Sequence, residues 1–153
     1  MTGSALADDQ QALLVESLKA ADRELSRAQA RRVQAMIEFA DTRKVADRHR
    51  IAELESAGAE PRYQAGEFAV VEIGLAVTAT RHCVQREVAR ARRLRSEAPD
   101  AWDAWVAGDI NEAKAAHINH ALLRLVRDDS KRLLNALVVP VAVEKTPNCC
   151  GAG

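Results

Sequence analysis

The chain has 153 residues, of which 48% are apolar, 3% aromatic and 29% charged. This length fits a single domain with its own core, and the apolar content excludes an intrinsically disordered chain. The 22 basic residues balance the 22 acidic ones, so any affinity for nucleic acid or anionic lipid must come from a local patch. Alanine, leucine, valine, arginine and glutamate dominate, and this helix-forming composition predicts an all-α fold.

The start of the chain lacks the basic cluster and apolar stretch that a signal peptide requires. The longest apolar run, residues 133–143, is interrupted by Asn135 and Pro140 and is too short to span a bilayer. We therefore expect a soluble, cytoplasmic protein without a membrane partner.

The first 57 residues are predicted to form a long amphipathic helix, or a helical hairpin with a break near Thr42. No Pro or Gly occurs from Asp9 to Ala57, and apolar residues recur at helical spacing. An apolar pattern of this length is typical of helices that pair with another helix, so we expect a homo-oligomer formed through this helix, most simply a dimer. The apolar positions are Leu14, Leu18, Ala21, Leu25, Ala28, Val33, Met36, Ile37 and Ala40.

Residues 58–66 combine small residues with Gly and Pro, which predicts a connector. Residues 67–143 are expected to form a bundle of shorter helices, and residues 144–153 a disordered tail. Gly108 stands where it would cap the C-terminus of one helix. The expected helices are 67–77, 81–97, 99–107 and 111–137.

The most specific pattern in the sequence is that of a helix-turn-helix. Such a unit needs a small residue within its first helix, an apolar residue before the turn, a capping hydroxyl, and apolar residues on the inner face of its second helix. Gly74, Val77, Thr80, Val84 and Val88 occupy these places in that order. We therefore predict a helix-turn-helix-like unit within the second part of the chain.

The second helix of this unit is strongly basic. Six arginines against the single Glu87 give residues 81–95 a net charge of about +5, which suits contact with phosphates. Two readings remain: DNA contact, or a helix pair with a solvated arginine face. A helix-turn-helix usually has Gly at the position of Thr78, so this residue favours the helix pair with a solvated arginine face. The predicted DNA-binding residues are Arg81, His82, Gln85, Arg86, Arg90 and Arg93.

Other residues with chemical potential do not form a recognisable site. His117 and His120 fall on one helix face, but two imidazoles need further ligands to hold a metal. Cys149 and Cys150 are adjacent, which disfavours a disulfide between them, and with Cys83 they lack zinc-ligand spacing. We predict no catalytic residue, no metal site and no cofactor, and no small-molecule substrate is evident.

Parts of the chain resemble a known family. Residues 67–80 and 89–94, together with residues 101–122, are similar to the actinobacterial domain of unknown function 222. This is the domain of the 13E12-repeat proteins, which commonly carry an HNH endonuclease domain downstream. The resemblance extends from about residue 31 to residue 137. It implies a helical module that is associated with DNA.

The chain departs from the family at its C-terminal end. The HNH module, with its histidines, asparagine and paired Cys-x-x-Cys zinc ligands, would follow residue 153, and residues 145–153 do not resemble the family. We therefore expect a truncated or frameshifted copy, a non-catalytic DNA-associated module rather than an enzyme. Two alternatives stay open: one half of a split HNH nuclease, and a helical protein-protein interaction module.

Overall fold

The computed structural model describes the backbone of residues 2–144 and the side chains of residues 7–144. This part of the chain is all-α, as predicted, with one long N-terminal helix followed by shorter helices and no strand. No helix within it combines the length and apolar content needed to cross a bilayer. The helices are α1 (Thr2–Ser56), α2 (Ala69–Val77), α3 (Arg81–Glu97), α4 (Pro99–Ala107), α5 (Glu112–Arg124) and α6 (Asp128–Glu144).

The N-terminal segment is a single helix of 55 residues without a break near Thr42. It ends at Ser56, just before Gly58, whose φ of 77° is left-handed. The amide of Gly58 donates to the carbonyl of Glu55, and the amide of Ala59 donates to that of Leu54. These two bonds form a Schellman motif, which satisfies carbonyls that the helix end leaves open. The connector therefore begins at the predicted place.

The prediction of one helix over residues 111–137 is wrong. α5 ends at Arg124, Leu125 is extended (φ −94°, ψ 123°), and α6 begins at Asp128. The apolar spacing continues across this break without Gly or Pro, so periodicity alone could not reveal it. α6 also runs through Pro140 to Glu144, beyond the predicted end. The predicted tail, apart from Glu144, lies outside the described residues.

The chain forms two compact units. Among the described residues, unit 1 comprises those up to residue 31 and those from residue 94 onward, and unit 2 comprises residues 32–93. In unit 1, α4, α5 and α6 pack against one another. The rings of Trp102 and Trp105 are buried there, with centroids 5.8 Å apart and planes at 88°. This edge-to-face arrangement is favourable for an aromatic pair.

The C-terminus of α4 packs against α1 within unit 1. Gly108 caps α4 with φ 83°, which confirms the predicted cap. A Cβ atom at Gly108 would lie 2.8 Å from the carbonyl oxygen of Arg23, so no larger residue fits. The carbonyl of Ala107 accepts a hydrogen bond of 2.7 Å from Nε of Arg27. On α1, Ser26 and Ala30 are buried.

Unit 2 holds α2 and the first part of α3 against the second part of α1. The buried Asp47 on α1 accepts a hydrogen bond from the amide of Gly66 in the connector, at 2.9 Å. Arg43 lies 3.5 Å from Asp47 and 3.1 Å from Glu72 on α2. These polar contacts fix the connector and α2 on α1. The buried apolar residues are Val33, Met36, Ile37, Ala69, Ile73, Val84, Val88 and Ala91.

Candidate nucleic-acid interface

The turn between α2 and α3 requires a glycine on α2. The amides of Thr78 and Ala79 both donate to the carbonyl of Gly74, which closes the end of α2. A Cβ atom at Gly74 would lie 2.7 Å from the carbonyl oxygen of Ala79, closer than real Cβ contacts. The small residue that the sequence placed inside the first helix is therefore needed for close approach of the turn.

Thr78 supplies the left-handed residue of this turn. Its φ is 54° and its ψ is 46°, and it is the single non-glycine residue with positive φ in the described part of the chain. A β-branched side chain is rarely found in this conformation because its Cβ crowds the backbone. The turn thus has the backbone geometry that Gly usually provides, although the residue at this position is threonine.

The start of α3 follows the predicted pattern. Oγ1 of Thr80 accepts a hydrogen bond from the amide of Cys83 at 3.3 Å, so Thr80 is the N-cap. Val84 and Val88 are buried, and so is Ala91 one turn later. This apolar face orients α3 and leaves its other face to solvent.

The predicted DNA-binding residues divide into two groups by exposure. Those in the first turns of α3 are exposed to solvent. Those further along, Arg90 and Arg93, are half-buried, and both have interaction partners within the protein. The accessible set is therefore Arg81, His82, Gln85 and Arg86.

Ion pairs with α1 change the charge that α3 presents. Glu87 accepts a hydrogen bond of 2.7 Å from Arg32, so its negative charge is neutralised. Arg92 forms an ion pair with Asp41 on α1. Within the residues that the structure describes, no hydrogen bond or ion pair engages the side chain of Arg81 or of Arg86. Two arginine charges at the start of α3 are thus available to an anionic partner.

A groove of about 240 Å³ runs beside α3 in unit 2. Gln85, Ala89 and Arg92 line it from α3, while Ala40 and Lys44 line it from α1. Lys44 is exposed and adds a positive charge beside the basic helix. Lys44 could not be predicted as part of this basic surface, because it is distant along the chain from the arginines of α3.

The histidines and cysteines do not converge on a site. His117 and His120 are both exposed on α5, and Cys83 is a free, half-buried thiol. Among the described residues, no group of three or more His, Cys, Asp and Glu side chains could hold a metal ion. Cys149 and Cys150 lie outside the described part of the chain.

No protein-family model matches this chain, and neither does any curated protein or solved structure. Arginine, histidine and glutamine side chains at the start of a helix can donate hydrogen bonds to phosphates and to base edges in a major groove.

Proposed function

We propose that this protein is a non-catalytic, DNA-associated helical module that contacts duplex DNA through the first turns of α3. The observation that carries the proposal is the exposure of Arg81 and Arg86 without partners among the described residues, beside a Glu87 neutralised by Arg32. A charge of this kind in a protein of zero net charge attracts phosphates locally.

The roles of the four exposed residues follow from their chemistry. Arg81 and Arg86 each present a guanidinium group that can bind a phosphate, or the O6 and N7 atoms of guanine. His82 and Gln85 lie between them along the helix and can donate to base edges. Because the helix dipole is positive at this end, it adds to the attraction for a phosphate.

The resemblance to the 13E12-repeat proteins supports the same function. Those proteins commonly combine their helical domain with an HNH nuclease, an enzyme class that acts on DNA. α2 and the turn lie within residues 67–80, and part of α3 lies within residues 89–94, two of the stretches that carry the resemblance. We infer that the module contributes DNA contact in such proteins.

Duplex binding across a salt series tests the role of α3. The double variant R81A/R86A should bind at least about tenfold more weakly, and its plot of log affinity against log salt should be flatter by about 0.9 for each lost phosphate contact. The control R48A/R50A removes the same charge from exposed positions on α1 of the same unit. Equal affinity and slope for R81A/R86A and the unmodified protein would refute DNA contact by α3.

We expect the protein to lack nuclease activity of its own. The HNH histidines and asparagine are missing from this sequence, so we expect no cleavage of duplex DNA in the presence of Mg²⁺, Mn²⁺ or Zn²⁺. Cleavage that disappears in H117A or H120A would instead make the histidine pair a metal site. Cleavage only after an HNH polypeptide is added would favour the split nuclease.

A further inference from the structure

The first part of α1 carries large apolar side chains that no described part of the chain covers. Every described side chain from Ala7 to Leu25 is exposed. Leu14, Leu18 and Leu25 are 59%, 70% and 57% exposed, although their burial is favourable. An exposed apolar patch on a protein surface commonly marks an interaction site.

These leucines belong to a heptad pattern, here called the leucine stripe. Its members are separated alternately by four and three residues, the spacing that places side chains along one side of two supercoiled helices. Gln11 is the single polar member, and the alanines allow two helix backbones to approach closely. The stripe consists of Ala7, Gln11, Leu14, Leu18, Ala21, Leu25 and Ala28.

The leucine stripe lies on a different side of α1 from the face that packs within unit 1. At about 100° per residue, the buried Ala30 lies roughly 120–140° around the helix from Leu18 and Leu25, and the buried Ser26 lies roughly 80–100° from them. Arg27, which bonds to the carbonyl of Ala107, lies on the same packed side. Another helix can therefore cover the stripe without displacing any contact of unit 1.

Charge is segregated along this part of α1. Residues 8–22 contain four acidic residues against one lysine, whereas residues 23–31 contain three arginines against one glutamate. Two copies paired in parallel would place like charges side by side. Two copies running in opposite directions would place the acidic half of each beside the basic half of the other. Their antiparallel helix dipoles would also attract each other.

We propose that the leucine stripe pairs with the leucine stripe of a second copy in antiparallel orientation. The heptad positions fix the register: Leu14 faces Leu25 of the second copy, and Leu18 faces its Ala21. The arrangement has twofold symmetry, so one set of contacts is made twice and the assembly closes as a dimer. This proposal does not depend on DNA binding by α3.

Sedimentation equilibrium tests whether the stripe pairs. The unmodified protein should show about twice the mass of one chain at micromolar concentrations, and L18E/L25E should show the mass of one chain. The control is L13E, because Leu13 is 72% exposed on the same helix but lies outside the stripe. A monomer at every concentration, or dimers in L18E/L25E, would overturn the proposal. If the unmodified protein is a monomer, a different protein would have to cover the stripe.

Spin labels test the orientation. In a background with the three cysteines replaced by alanine, a label at Q10C should give a separation of roughly 30 Å in the antiparallel dimer, since the rise is about 1.5 Å per residue. A parallel dimer would give roughly 10–15 Å, close to the distance between the helix axes. Added salt should weaken the antiparallel dimer, because it screens attraction. A short separation, or a dimer that tightens with salt, would overturn the antiparallel orientation.

Discussion

Gly74 is the residue on which the turn between α2 and α3 depends most directly. In G74A the new Cβ would press on the carbonyl oxygen of Ala79, a backbone atom that cannot rotate away. We expect the free energy of unfolding to fall by about 1–3 kcal/mol, as in other overpacked sites. Urea denaturation measures this, with L75A as the control because Leu75 is 79% exposed on the same helix. Equal losses in both variants would contradict a specific role for Gly74.

A substitution at Thr78, in the same turn, should raise the free energy of unfolding instead of lowering it. Its left-handed backbone costs a β-branched residue about 1–2 kcal/mol, and its side chain is exposed. Glycine adopts this φ without strain but loses more entropy on folding. We therefore expect T78G to raise the free energy of unfolding by about 0.5–1 kcal/mol. Thermal and urea unfolding both report this, and a less stable T78G would show that Thr78 is not strained.

At the level of helices, α4 has an N-terminus capped by a residue from another helix. Its own N-cap residue is Ala98, which makes no side-chain cap. Oδ1 of Asn135 on α6 accepts a hydrogen bond from the amide of Asp100 at 3.0 Å, and Nδ2 of Asn135 donates to the Asp100 carboxylate at 2.9 Å. This pair gives α4 the acceptor that its sequence lacks and joins it to α6.

The cap predicts a difference between two substitutions at Asn135. N135A should lower the free energy of unfolding by about 1 kcal/mol, the usual cost of a lost cap. N135D should lose more at neutral pH than at acidic pH, because two carboxylates would then face each other until one is protonated. Urea denaturation at two pH values measures both effects. A pH-independent loss in N135D would argue against the contact with Asp100.

Helix boundaries were predictable where the chain carries a local marker. Gly58, Thr80 and Gly108 each mark an end that the structure confirms. The break after Arg124 has no such marker, so it was missed. Likewise, the exposed face of α3 follows from its periodicity. Its ion pairs do not, because the partners Arg92 and Asp41 are 51 residues apart in sequence.

At the level of the whole molecule, the compact units do not follow consecutive sequence. Within the described part of the chain, unit 1 combines the residues up to 31 with those from 94 onward, whereas unit 2 is formed by residues 32–93. Hydrophobic periodicity reports the local period of one element and carries no information about which distant elements pack together. The predicted connector, residues 58–66, follows the end of α1 but lies wholly within unit 2, so it does not separate the two units.

The exposure of residues 7–25 predicts uneven stability within unit 1. An isolated helix in water is marginally stable, since packing of an apolar face supplies most helix stability in proteins. In dilute protein we therefore expect amides of residues 8–22 to exchange with solvent much faster than those of Trp102 and Trp105, which are buried. Pairing of the leucine stripe would slow the exchange of residues 8–22 as protein concentration rises, and L18E/L25E would abolish that dependence. Hydrogen exchange followed by mass spectrometry resolves the two segments. Slow exchange of residues 8–22 in a dilute L18E/L25E sample would mean that α1 is stabilised by contacts other than the stripe.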